Sequence, residues 1–147
     1  MATPYPEGGP PAGAPGGKTS IGLESNLGAA LCYWANFLCC LGLVLAIVFL
    51  ATEKENRFVK FHAVQSLFLV ATQIAVSIVV GILGLIVSMV LDMIHLSFVG
   101  WILVLCLRFL IFFIFVVIWI IAGVKAYGGQ SYKLPLIGGF AWNTVYK

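Results

Sequence analysis

Three long blocks of apolar residues constrain this chain more than any other feature. Residues 29–51 and 61–91 contain no charged side chain, and residues 93–124 contain only Arg108. A helix needs roughly 20 apolar residues to cross the hydrocarbon core of a bilayer, so each block is long enough for one crossing and too short for two. Only 9% of the residues are charged, against about 25% in a typical soluble domain. The sequence therefore predicts an all-α integral membrane protein with three transmembrane helices.

The boundaries of these blocks predict three regions along the chain. Residues 1–27 are rich in proline and glycine, and such a segment buries too little apolar surface to offset the entropy of ordering it. We therefore expect a disordered N-terminal tail. A membrane domain should follow over residues 28–127, with spans at about 29–51, 64–90 and 101–124.

The last region, residues 128–147, is predicted to lie along the membrane surface. Tyrosine and tryptophan favour the headgroup layer because their rings are amphipathic. Pro135 and the pair Gly138–Gly139 argue against one continuous helix through this segment. The aromatic residues that mark the surface are Tyr127, Tyr132, Phe140, Trp142 and Tyr146.

Basic residues are distributed unevenly between the predicted loops. In a three-span chain the first loop and the C-terminal segment share one side, and Lys18 lies on the other, with Asp92 and His95 in the second loop. Positive charge concentrates on the cytoplasmic side of membrane proteins. We therefore expect an outside N-terminus in a bacterial cytoplasmic membrane, with anionic lipid headgroups as partners of the basic residues. The basic residues on the predicted inner side are Lys54, Arg57, Lys60, Lys125, Lys133 and Lys147.

Small residues recur on one face of the predicted first span. Such faces let helix backbones approach closely in lipid, where packing drives association. The pattern predicts packing against another span of the same chain or, alternatively, a contact between copies in a homo-oligomer. The residues of this helix-packing face are Gly28, Cys32, Ala35, Cys39, Gly42 and Ala46.

Two polar residues stand out inside the predicted second and third spans. Gln73 belongs to a polar stripe on span two, which can form hydrogen bonds between helices or, alternatively, line a path for a solute. Arg108 is the one charged residue inside a span. Its long side chain can extend toward the outer headgroups; alternatively, it is a functional buried cation or a contact with a bound partner.

The segment between the first two blocks, Thr52–Ser66, is the candidate functional hinge. Its basic side chains can reach anionic headgroups. His62, Gln65 and Ser66 lie at positions i, i+3 and i+4 of a helix, so their side chains should cluster. The cluster can form hydrogen bonds that hold the hinge against a neighbouring helix or the C-terminal segment. The alternative is a proton-sensing or substrate-binding role for His62. The hinge residues are Arg57, Lys60, Phe61, His62, Gln65 and Ser66.

No segment carries a recognisable catalytic or ligand-binding motif. The sequence contains no nucleophile and base at a familiar spacing and no phosphate-binding glycine loop. Its four cysteines show no spacing typical of a zinc site. The net charge of +3 is small and scattered, which does not indicate a nucleic-acid partner. We expect no catalytic residue, metal or cofactor.

Three segments carry a family resemblance: ALCYWANFLCC, RFVKFHAVQSLFL and AGVKAYGGQSYKLPLIG. They resemble small polytopic membrane proteins related to the chloroplast inner-envelope import component, the twenty-kilodalton Tic subunit. The magnetosome protein MamF and many uncharacterised bacterial proteins are similar, and the bacterial proteins are the nearest in pattern. The likeness covers about Ala29–Gly138 and is most specific in the hinge.

The resemblance implies a polytopic membrane protein without a known cofactor. The plastid proteins imply part of a protein-conducting complex, and the magnetosome proteins imply control of a membrane-bounded mineral. This chain shows three predicted spans where the plastid subunit usually has four, and it has no acidic run for a mineral. We therefore expect a non-enzymatic interaction or scaffold subunit that assembles with itself or with other membrane proteins. The alternative is an oligomeric transporter, channel or protein-translocation component.

Overall fold

The computed structural model describes residues 15–38, 41–54 and 56–146, and all the regular elements in these ranges are helical. Five α-helices follow one another along the chain, and a short 3-10 turn at Ala35–Phe37 separates the first two. The helices are α1 (Ser25–Trp34), α2 (Leu41–Thr52), α3 (Arg57–Met93), α4 (Ser97–Tyr127) and α5 (Ile137–Tyr146).

The chain divides into two compact units. The first unit combines Met1–Leu69 with Trp119–Lys147, and the second unit is Val70–Ile118. Helices α3 and α4 therefore each contribute to both units, whereas α1, α2 and α5 belong to the first unit alone.

Among the helices of the described residues, α3 and α4 are the two that are long and apolar enough to cross a membrane. They contain the predicted spans at 64–90 and 101–124. Helix α2 is also strongly apolar, but its 12 residues make it about 18 Å long, well short of the ~30 Å hydrocarbon core. The structure thus supports a helical membrane protein and does not confirm three spans.

Over residues 29–51, where the sequence predicts one span, the described residues form two helices separated by a 3-10 turn. We call α1, the 3-10 turn and α2 the N-terminal hairpin. A Cβ atom at Gly28, early in α1, would lie 3.2 Å from Cζ of Phe49, late in α2. At the other end, a Cβ atom at Gly42 would overlap the side chain of Asn36. The two helices are therefore antiparallel and closely packed.

The main chain of Cys32 explains why α1 does not continue. Its carbonyl oxygen accepts hydrogen bonds from Oγ of Ser66 at 2.6 Å and from Nδ2 of Asn36 at 2.8 Å. A continuous α-helix would use this carbonyl for the backbone N–H of residue 36. Side chains satisfy it instead, and the chain tightens into the 3-10 turn.

Part of the predicted tail packs onto the first unit. Of residues 1–27, residues 1–14 lie outside the described residues, and residues 15–24 form turns before α1. The Thr19 side chain is buried, and its hydroxyl accepts a hydrogen bond from the Leu23 N–H at 3.0 Å. The backbone N–H of Ser20 donates to the carboxylate of Glu53, at the end of α2. These hydrogen bonds order residues 15–24, although this segment has no apolar core of its own.

The start of α3 is fixed to the start of α1 by Asn56. Its Oδ1 accepts a hydrogen bond from the Val59 N–H at 3.1 Å, which caps the first turn of α3. Its Nδ2 donates to Oγ of Ser25 at 2.6 Å. The buried Asn56 side chain therefore caps the N-terminus of α3 and holds it against the first residue of α1.

The second unit is an antiparallel pair of helical segments joined by a short turn. A Cβ atom at Gly84 would lie 2.9 Å from Cγ1 of Val104, so the helices approach closely at this glycine. At the turn, the Leu96 N–H donates to the Leu91 carbonyl at 2.8 Å, and His95 has a positive φ of 57°. Most large apolar side chains of this unit are exposed, which is expected for a surface in contact with lipid.

Candidate functional site

The predicted hinge forms the first turns of α3 and part of the core of the first unit. Arg57 is exposed and Lys60 is partly exposed. The other four hinge residues are completely buried: Phe61, His62, Gln65 and Ser66. The polar residues predicted to cluster here are thus in the interior of the unit, not on its surface.

Tyr33 of α1 lies at the centre of this interior. Its hydroxyl oxygen is 3.0 Å from Nδ1 of His62 and 2.9 Å from Nε2 of Gln65. The Gln65 amide donates to this oxygen, so the hydroxyl proton is free to donate to His62. We call Tyr33, His62, Gln65 and Ser66 the polar cluster. It joins α1 to α3 through four buried side chains.

Gln65 also binds the C-terminal segment. Its Nε2 donates to the Tyr132 carbonyl at 3.1 Å, and its Oε1 accepts from the Leu134 N–H at 3.3 Å. A single side-chain amide thereby satisfies a backbone acceptor and a backbone donor two residues apart. The chain that leaves α4 is held against α3 by this pair of bonds.

The His62 ring is enclosed by aromatic side chains. Its centroid lies 4.7 Å from that of Phe58 and 5.0 Å from that of Phe61, both in edge-to-face geometry. The Nε2 atom has no hydrogen-bond partner of good geometry among the described residues, although the Gln130 main chain is near the ring. When Tyr33 donates to Nδ1, the ring proton resides on Nε2.

Helix α5 packs over the outer side of Phe61. The Phe61 ring lies 5.6 Å from the Trp142 ring, and Trp142 stacks on Tyr146 at 4.0 Å. The ammonium group of Lys133 lies 3.7 Å from the centre of the Trp142 ring. Pro135 precedes α5, which begins at Ile137. The prediction that Gly138–Gly139 would interrupt a helix here is wrong, because both glycines lie within α5.

The small residues of the predicted packing face lie within the N-terminal hairpin. Gly28 and Gly42 allow α1 and α2 to approach each other, as the contacts with Phe49 and Asn36 show. Cys39 lies outside the described residues. The remaining members are buried: Cys32, Ala35 and Ala46.

A second polar site lies in the second unit, between α3 and α4. Gln73 and Arg108, which the sequence analysis singled out separately, line one open cleft of about 130 Å³ together with Ser77. The Arg108 guanidinium reaches to 3.1 Å from the Cβ position of Gly81. A larger apolar groove of about 340 Å³ continues past Gly84 on the other side of Arg108.

Three residues that organise the first unit are not among the predicted site residues: Tyr33, Glu53 and Asn56. A tyrosine inside an apolar block requires a partner for its hydroxyl when buried. An asparagine just before a helix is a strong N-cap signal. Those signals were present, whereas the contact of Glu53 with the Ser20 backbone had no local indication.

The described residues contain no group of three or more histidine, cysteine, aspartate or glutamate side chains able to hold a metal ion. The polar cluster is buried, and its hydrogen bonds connect α1, α3 and the C-terminal segment. The second polar site is open and contains the positively charged side chain of Arg108.

The fold and the two polar sites define a helical membrane protein. One of its compact units combines the N- and C-terminal segments, and the other is a long, mainly apolar helical pair. The chain belongs to the MamF and MmsF family, described as the magnetosome magnetite crystal formation protein family, whose signature matches residues 24–141. No solved structure matches the chain.

Relatives with the same membrane character occur in archaea. A UPF0132 membrane protein of Methanocaldococcus jannaschii is 36% identical over 125 residues, covering 85% of this chain and 92% of that protein. A second one from the same organism is 28% identical over 122 residues, covering 83% and 71%. A UPF0132 membrane protein of Archaeoglobus fulgidus is 34% identical over 123 residues, covering 84% and 97%.

These comparisons confirm the resemblance to MamF and establish a family of membrane proteins. They do not show the predicted link to the chloroplast import component or a bacterial origin, because the relatives are archaeal. The names of the archaeal relatives state a membrane location and no activity.

Proposed function

We propose that this chain is a non-enzymatic membrane subunit that assembles with itself or with other membrane proteins. The observation that carries the proposal is the position of Arg108, whose exposed, charged side chain lies on a predominantly apolar helical pair. A charge at the centre of a membrane helix costs about 2.5–3.5 kcal/mol on insertion scales, and such residues usually face protein or water.

The second unit does not neutralise this charge internally. Its single acidic residue, Asp92, lies at the turn, where its carboxylate accepts a hydrogen bond from the Ser97 hydroxyl. Arg108 lies 11 residues beyond Ser97, the first residue of α4 after that turn, which corresponds to about 16 Å along the helix axis. A contact with another protein chain would cover the guanidinium and lower the cost of keeping it in the membrane.

The surface next to Arg108 also suits a helix–helix contact. Gly81 and Gly84 face α4 and line an open apolar groove beside the guanidinium. The exposed side chains of Leu85 and Trp101 on this groove can pack against a partner helix in lipid. Ser77 adds a hydroxyl in the neighbouring cleft. These features support a partner that combines an apolar helix with one hydrogen-bond acceptor or carboxylate.

Site-directed crosslinking in native membranes tests the proposal. Ile111 lines the cleft with Arg108, whereas the exposed native Cys106 lies about 200° around α4 from Arg108 at 100° per residue. Ile111→Cys, with all native cysteines replaced, should give a covalent adduct. A matched variant that retains only Cys106 should give much less. Recovery of monomer alone from both variants contradicts the proposal.

The second candidate function is a transporter, channel or translocation component. The observation in its favour is that Gln73, Ser77 and Arg108 line the same open cleft. Because one helical pair encloses no continuous path, an oligomer would be required. Flux into reconstituted vesicles should fall strongly for Arg108→Leu and for Gln73→Leu. Unchanged flux through correctly inserted variants contradicts this candidate.

The family description names magnetite crystal formation. This chain has only five aspartate and glutamate residues in total, and the buried Glu53 already binds the Ser20 backbone. We therefore confine the proposal to membrane assembly and do not extend mineral contact to this chain.

A further inference from the structure

We infer that the N-terminal hairpin enters one leaflet of the bilayer and returns to the same side without crossing. Residues 15–24, the first loop and the C-terminal segment would then all lie on one side of the membrane. The partner of the hairpin's outer face is the acyl layer of that leaflet, and anionic headgroups are the partners of the basic residues at its base.

Contacts at the base of the hairpin carry the inference. The Ser20 N–H donates to the Glu53 carboxylate, and Asn56 Nδ2 donates to Ser25 Oγ at 2.6 Å. These pairs join the chain just before α1 to the chain just after α2. The ends of a membrane-crossing helix are separated by about 30 Å, so residues on opposite sides of a bilayer cannot form these bonds.

The other end of the hairpin and its outer face are apolar. Leu38, next to the turn, is 66% exposed. A contiguous apolar surface of this kind marks a membrane or protein contact. At about 18 Å, α2 is long enough to enter one leaflet of a ~30 Å core and too short to cross it. The exposed apolar residues are Phe37, Leu38, Leu41, Val44, Ile47 and Val48.

Charge is arranged to match this placement. Lys18 and Lys54 lie near the base of the hairpin, where anionic headgroups attract basic side chains. The Gln65 bonds to Tyr132 and Leu134 hold the C-terminal segment in the same unit. The positive-inside rule then assigns residues 15–24, the first loop and the C-terminal segment to the cytoplasmic side. This orientation differs from the three-span prediction, which put Lys18 outside.

Thiol labelling with a membrane-impermeant maleimide tests the shared side. Three variants, each with the native cysteines replaced, carry one thiol: Ser20→Cys, Lys54→Cys or His95→Cys. Ser20 uses only its backbone in the contact with Glu53, so its side chain can be changed. We expect the thiols at 20 and 54 to react only in inverted vesicles, and the thiol at 95 only in right-side-out vesicles. Reaction of the thiol at 20 together with that at 95 overturns the inference.

Depth measurement tests the insertion separately. A nitroxide attached at Leu38→Cys should be protected from a water-soluble nickel relaxation agent and accessible to oxygen in vesicles that contain anionic lipid. A nitroxide at Lys54→Cys is the matched control and should be accessible to the nickel agent. Equal nickel accessibility at both positions overturns the inserted hairpin. Both measurements read the position of single residues, so they are independent of whether the chain assembles through Arg108.

Discussion

The side-chain nitrogen of Gln65 lies 2.9 Å from the hydroxyl oxygen of Tyr33, 32 residues earlier in the chain. Both side chains are completely buried. The same Gln65 amide binds the backbone of Tyr132 and Leu134. One hydrogen-bonded pair therefore connects the N-terminal hairpin, the start of α3 and the C-terminal segment.

Tyr33→Phe should destabilise the first unit by about 1–3 kcal/mol. The change keeps the ring and leaves His62 Nδ1 and Gln65 Nε2 without their shared partner, and an unpaired buried polar group costs about this much. Thermal unfolding in detergent, followed by circular dichroism, measures the loss. Tyr127→Phe is the control, because Tyr127 is exposed and its ring contact with Trp34 is retained. Equal stability of the two variants contradicts the role of the Tyr33 hydroxyl.

Gln65→Leu should release the C-terminal segment. The Tyr132 carbonyl and the Leu134 N–H both lose their side-chain partner, at a cost of about 1–3 kcal/mol for each buried group left unpaired. Limited proteolysis of the purified protein should cleave after Tyr132 or Lys133 much faster than in the wild type. Gln130→Leu makes the same change at an exposed glutamine and should leave the cleavage rate unchanged. Similar rates for both variants would refute this role for Gln65.

Gly123→Ala should weaken the packing of α4 against the N-terminal hairpin. A Cβ atom there would overlap the Trp34 indole and lie 2.7 Å from its Cε2, and overpacking of this kind costs about 1–3 kcal/mol. Gly139→Ala in α5 is the matched control, since a Cβ atom at 139 meets nothing within 4 Å. Alanine should stabilise α5 by up to about 1 kcal/mol. Melting temperatures should therefore move in opposite directions, and a shift of the same sign in both contradicts the close approach.

Arg108→Leu should improve insertion of α4 while reducing assembly. Removing the charge saves about 2.5–3.5 kcal/mol of insertion cost, and it also removes the proposed contact with a partner chain. Glycosylation mapping in microsomes measures insertion, and native gel electrophoresis measures assembly. Phe109→Leu, at the neighbouring exposed position, should change neither. An Arg108→Leu variant that assembles like the wild type contradicts the proposed function.

The apolar blocks predicted the long helices because their cause is local. Residues 64–90 and 101–124 are each long and predominantly apolar, as a membrane-spanning helix requires, and α3 and α4 include both ranges. Gln73 and Arg108 line one cleft, and predicting this would have required knowledge of how α3 and α4 pair. Helical spacing predicts the face of its own helix on which each residue lies. It does not predict the register of α3 against α4.

The break in residues 29–51 could not be predicted in the same way. A crossing helix and a hairpin of two short helices have the same hydropathy over this range. The deciding contacts come from distant residues: Ser66 binds the Cys32 carbonyl, and Glu53 binds the Ser20 backbone. Asn36 and Gly42 are the residues near the turn that could have indicated it in the sequence. Each is also compatible with a continuous membrane helix.

The most direct test of this account is a distance between the two ends of the N-terminal hairpin. Spin labels at Ser20→Cys and Lys54→Cys, in protein reconstituted into bilayers with the native cysteines replaced, allow this distance to be measured by double electron–electron resonance. The account predicts a narrow distribution well below the ~30 Å thickness of the hydrocarbon core. A distribution centred at or above ~30 Å would place the two labels on opposite sides of the membrane and contradict the hairpin.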